Sequence, residues 1–167
     1  MKWKFIVIGL LSTLFLILGF RQLFIAINPK ILEAYYLYGT DMEKVDKHLG
    51  LAHDESFADV FLYYFLGLFA AGMIAWLVSM AISWTLAKKS GIPKINIILL
   101  AVATIPLTPL ISKFHLDFHQ LYFSFKELAT VVGVSGTMLI NGAILTSIGL
   151  FLVLSKKMKN HYYQQGA

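Results

Sequence analysis

The chain contains no cysteine. That excludes a disulfide framework, a thiol redox relay and thiolate metal sites. Charge is scarce too: only 14% of the 167 residues are charged, against 58% hydrophobic, and the mean hydropathy is +0.73. Soluble domains of this size carry about 25% charged and about 45–50% apolar residues. One small core cannot hide the excess, so lipid is the expected solvent. Catalytic signatures are missing as well. There is no G-x-S-x-G, H-E-x-x-H or P-loop pattern and no Gly-rich dinucleotide fingerprint. The expectation is therefore a non-enzymatic protein without a cofactor. The size matches several four-helix membrane enzymes and exporters. However, the cysteine pairs of a disulfide-generating enzyme, the first-span acid of small multidrug exporters and the paired aspartates of signal peptidase II are all missing.

What is present is long apolar runs. Crossing about 30 Å of hydrocarbon takes about 17–25 apolar residues. Four runs qualify or nearly so, at 5–27, 60–87, 95–112 and 128–155. The third is the shortest, and the second and fourth are long enough to tilt or project. The spacing predicts an all-α fold: a four-helix transmembrane bundle, one integral membrane domain over 1–167, with short amphipathic helices in the outer loops. The amino-terminal stretch has the basic start and apolar run of a signal peptide. No small-x-small cleavage site follows, and the run exceeds the usual h-region, so a retained anchor is expected.

Charge distribution sets the expected orientation. Lys2, Lys4, Lys88, Lys89, Lys94, Lys156, Lys157 and Lys159 border the spans with no acid among them. All nine acids lie in the other two segments, 28–59 and 113–127. Cytoplasmic loops collect Lys and Arg. Both termini are thus expected on the cytoplasmic side of a plasma (inner) membrane. The isoelectric point near 9.4 reflects those borders. The expected partners are membrane lipid and other membrane subunits or a second copy of the chain, with no nucleic acid.

Small residues mark the expected packing faces, because close backbone approach drives helix association in lipid. Gly67, Ala71, Ala75, Ser79 and Ser83 recur at every fourth position, and Ser135, Gly142 and Gly149 at every seventh. Whether the two stripes meet within one chain or between chains stays open. Asn141 is a mid-span amide that needs a partner. Arg21 is the only charge inside a span. It lies about 25 Å along the first helix from Lys4, where snorkelling to the outer interface is expected, with a buried pair to an outer acid such as Asp59 or Asp117 as the alternative.

In the first outer loop, Asn28 is a candidate cap before Pro29, and Gly39 a stop. A second short helix starts at Thr40/Asp41, carries a Glu43–Lys47 pair and stops at Gly50. Pro106 and Pro109 break the third run, with Thr104 and Thr108 beside them. Interrupted helices expose backbone groups that can serve transport. The candidate polar or transport set is therefore Thr104, Pro106, Thr108, Asn141 and Arg21. His115, Asp117 and His119 form a candidate metal set at the outer surface, although Zn usually takes three protein ligands. Three function classes follow: a subunit or accessory factor of a membrane assembly, a small homo-oligomeric channel or transporter, and a metal-dependent membrane enzyme. The first fits the small-residue faces best.

Overall fold

A computed structural model describes residues 3–38, 41–51, 57–106 and 126–155. The fold is all-helical; no strand occurs among the described residues. The helices are α1 (Trp3–Ile27), α2 (Lys30–Tyr38), α3 (Met42–Leu49), α4 (Phe57–Lys89), α5 (Lys94–Thr104) and α6 (Lys126–Leu154). Three of them, over Trp3–Ile27, Ala58–Lys89 and Thr130–Leu154, are long and apolar enough to cross a membrane.

The third apolar run does not match its expected length within the described residues. Helix α5 has 11 residues, about 16 Å at 1.5 Å per residue, roughly half the hydrocarbon thickness. The cause is local. Pro106 lacks the amide that would bond the Val102 carbonyl, and the helix stops before it. Residues 107–112 of the expected span, with Thr108 and Pro109, lie outside the described residues.

Helix α1 is the hub, with α4, α5 and α6 packed around it. In its apolar window 44% of residues are buried, against 17% for α4 and 28% for α6, so α4 and α6 are the peripheral helices. At one end Phe5 packs with Ala87, Ile92, Ile97 and Leu100. At the other, Ile25 and Ala26 pack with Leu32, Tyr64, Leu68, Val134 and Met138. So α4 and α6 run antiparallel to α1, and α5 runs parallel to it. That arrangement gathers Lys4, Lys88, Lys89 and Lys94 at one end, and Glu33, Asp41, Glu43, Asp46 and Asp59 at the other.

The connection after α1 departs from its expected capping. Asn28 closes α1 rather than opening α2. Its backbone N–H and its Nδ2 both donate to the Phe24 carbonyl, at 3.1 and 3.2 Å. Helix α3 begins and ends at the expected residues. The Asp41 carboxylate accepts from the Lys44 amide at 3.4 Å, and Gly50 ends the helix with φ +69°, a left-handed conformation suited to glycine. The ion pair at its start joins Lys44 to Asp41 at 2.7 Å. That pair holds the exposed Asp41 carboxyl below its ordinary value, chiefly through the side-chain hydrogen bond from Lys44. The same bond raises the Lys44 ammonium.

Helix α6 is broken near its start. Gly133 has φ +73° and ψ 174°, a combination open essentially to glycine alone. Just after the break, the Thr137 hydroxyl donates to the Gly133 carbonyl at 2.9 Å.

Candidate functional site

The closest helix contact is a three-step seam between α1 and α6. Ser12, Gly19 and Ala26 fall seven residues apart on α1 and face Gly149, Gly142 and Ser135 of the antiparallel α6. A heptad spacing keeps one stripe of a helix against its partner. At the centre the two backbones touch. A Cβ built on Gly19 would lie 3.0 Å from the Gly142 carbonyl oxygen, and one on Gly142 would lie 3.0 Å from that of Gly19. Each outer step is closed by a hydroxyl: Ser12 donates to the Gly149 carbonyl at 2.7 Å, and Ser135 to the Ala26 carbonyl at 2.5 Å. Such bonds between membrane helices are worth about 0.6 kcal/mol on average and up to about 1.7.

The stripe on α4 also meets α1. Gly67 lies under the Phe24 ring, Ala75 joins the Leu16–Ile17–Leu18 cluster, and the Ser79 and Thr13 hydroxyls bond at 2.7 Å. Ala71 is half-buried, while Ser83 is buried. The two stripes seen in the sequence therefore do not face each other. Both face α1: its small residues at 12, 19 and 26 meet the α6 stripe, while Thr13, Phe24 and the cluster around Leu16 meet the α4 stripe.

Arg21 does not snorkel. Its side chain is 3% exposed and is directed at α4, where Gly72 leaves it room: a Cβ on Gly72 would lie 3.1 Å from the Arg21 Nε. One α4 turn further on, the Trp76 indole N–H donates to the Thr104 hydroxyl at 2.9 Å. Thr104 in turn turns back on the carbonyls of Leu100 and Ala101, each at 2.9 Å. This places the end of α5 level with the cluster around Leu16, near the middle of α1. Pro106 follows, exposed. So Thr104 and Arg21 meet α4 at successive turns. Asn141 is half-buried on α6 and joins neither. Thr108 and the candidate metal residues His115, Asp117 and His119 lie outside the described residues.

No family model, no curated protein and no solved structure matches this chain. The arrangement must therefore be interpreted from its own chemistry. Ser12, Thr13, Gln22 and Trp76 were not singled out in the sequence. Ser12 and Thr13 carried a usable signal, as adjacent hydroxyls inside an apolar run. Gln22 is 9% exposed, and its Oε1 is buried without a hydrogen bond. The hydroxyls of Tyr64 and Thr146 share that condition. The buried polar groups that do pair mostly tie helix to helix. Chemically this is a device for holding helices at close range.

Proposed function

We propose that the chain is a small multi-pass integral membrane protein acting as a non-enzymatic subunit or accessory factor of a membrane assembly. The observation that carries this reading is the division of labour among the helices. Polar and small side chains turn inward onto α1, while α4 and α6 present large apolar side chains outward. Phe61, Phe65, Phe69, Ile74, Leu77 and Trp84 of α4 are all exposed. Continuous apolar surface of that kind needs lipid or protein cover.

Connectivity supports reading four crossings. Helix α5 starts at the lysine end, and α6 starts at the opposite end, where Ser135 meets Ala26. Those two starting points are what supports a fourth crossing in this reading. The lysine end faces the cytoplasm of a plasma (inner) membrane, because insertion retains Lys and Arg on that side. With no native thiol, single cysteines at Lys94 and Lys44 report the orientation. An impermeant maleimide applied to intact cells labels the Lys44 position and spares the Lys94 position. The reverse pattern refutes it.

Purification in mild detergent with a tagged chain tests the assembly role. A distinct membrane protein retained in stoichiometric amount supports it. A pure homo-oligomer that conducts ions in liposomes favours the second reading, a small channel or transporter. The half-length α5, ending at Thr104 beside Trp76, favours that alternative, since interrupted helices serve transport sites elsewhere. The third reading, a metal-dependent enzyme using His115, Asp117 and His119, predicts bound metal that is lost in His115→Ala and His119→Ala.

A further inference from the structure

Helix α6 carries a second heptad seam, pointing away from α1. Asn141, Ile144, Ile148, Phe151 and Ser155 alternate in steps of three and four residues, and all five are at least partly exposed. Ile144 is 52% exposed and Phe151 64%. This is the spacing of a coiled-coil face. It is a different stripe from 135, 142 and 149, which α1 already occupies.

Asn141 makes the seam more than a lipid-facing stripe. It sits near the centre of the apolar stretch Thr130–Leu154. Its carboxamide makes no hydrogen bond within the described chain, whereas Ser12, Thr13, Ser79, Thr104, Ser135 and Thr137 all do. Facing hydrocarbon, a bare amide is strongly disfavoured. It is also reachable, unlike the sealed oxygens of Gln22 and Thr146.

We propose that this seam binds a second copy of the chain, with the two Asn141 carboxamides paired across a two-fold axis. The occupant follows from chemistry and symmetry. A carboxamide carries both donors and an acceptor, so two of them satisfy each other in reciprocal N–H···O bonds. Copies inserted with the same orientation can form a closed pair only about an axis along the membrane normal. A residue facing that axis then meets its own counterpart at the same depth. One amide at the core position of a parallel pair also fixes register. Ile144, Ile148 and Phe151 supply the apolar packing below it. The inference rests on the membrane-assembly reading and names the face through which self-association occurs.

The absence of native cysteine makes the test clean. Full-length chains carrying Ile148→Cys as the sole thiol are oxidised mildly in native membranes. A disulfide-linked dimer is expected. Leu139→Cys, also exposed but on another face of α6, is expected to give none. Analytical ultracentrifugation in mild detergent should show self-association weakened about tenfold in Asn141→Val and partly retained in Asn141→Gln. Because Asn141 makes no hydrogen bond among the described residues, the unfolding midpoint of the monomer should not fall in either variant. The proposal is overturned by a monomer at every protein-to-detergent ratio, by equal crosslinking from Leu139→Cys, or by unchanged association in Asn141→Val. Crosslinking of Ile148→Cys to a different membrane protein, with no self-dimer, also overturns it and leaves the assembly reading standing. Release of the chain from membranes by alkaline carbonate would instead refute the membrane reading itself.

Discussion

Gly19→Ala is the most demanding test of the helix packing. The added Cβ would collide with the Thr146 hydroxyl and would lie 2.8 Å from the Thr146 backbone nitrogen and 3.0 Å from the Gly142 carbonyl oxygen. A hydroxyl can rotate away, but backbone atoms cannot. Restoring ordinary contact requires α1 and α6 to part by roughly 0.5–1 Å, and a gap of that size forfeits about a quarter to a half of the dispersion attraction along the seam. It also stretches the Ser12–Gly149 and Ser135–Ala26 bonds, now 2.7 and 2.5 Å. Overpacking costs about 1–3 kcal/mol, and the two bonds add about 0.6 kcal/mol each when lost. The expected destabilisation is therefore about 2–4 kcal/mol. Reversible unfolding in mixed detergent–SDS micelles, followed by circular dichroism and tryptophan fluorescence, reads it directly. Gly67→Ala is the control, because the nearest atoms its Cβ would meet belong to the Phe24 ring, a side chain that can swing. Wild-type stability in Gly19→Ala, or a larger loss in Gly67→Ala, would refute the backbone-contact argument.

Other expectations are simpler to check. A double-mutant cycle of Thr13→Val and Ser79→Ala should give a coupling of about 0.6 kcal/mol, and no more than about 1.7, in the same unfolding assay; zero coupling would mean the 2.7 Å hydroxyl bond contributes nothing. Gly133→Ala meets nothing within 4 Å, so its cost, about 1–3 kcal/mol, is purely conformational. Replacement by the D-enantiomer, D-Ala, should escape most of it. The Lys44 hydrogen bond holds the Asp41 carboxyl below its ordinary value, and the same bond holds the Lys44 ammonium above its own. The pair therefore supports α3 fully between those ordinary values. Support fades as pH falls through the depressed Asp41 value, or rises through the elevated Lys44 value. Carboxyl NMR titration should show Asp41 returning toward its ordinary value in Lys44→Ala.

The sequence by itself determined the all-helical class and the positions of its long apolar helices. Run length and charge depletion are properties of the chain alone, so α1 and α4 start and end within a few residues of the expected spans. The stop of α3 at Gly50 was equally legible, since a left-handed residue is a local requirement. Legibility failed where the answer depends on a neighbour. The stripes on α4 and α6 were visible, but the surface they seek was not, because small residues mark a close approach without naming its partner. Arg21 looked fit to snorkel at its depth along α1; that it is buried instead depends on another helix, since Gly72 of α4 leaves it room. Asn28 offered capping chemistry to either adjoining helix, and the Phe24 carbonyl took it. Propensity, hydropathy and charge act residue by residue. Which faces meet, and which amide is left unpaired, is decided by the mutual placement of helices, and that exists only once they pack.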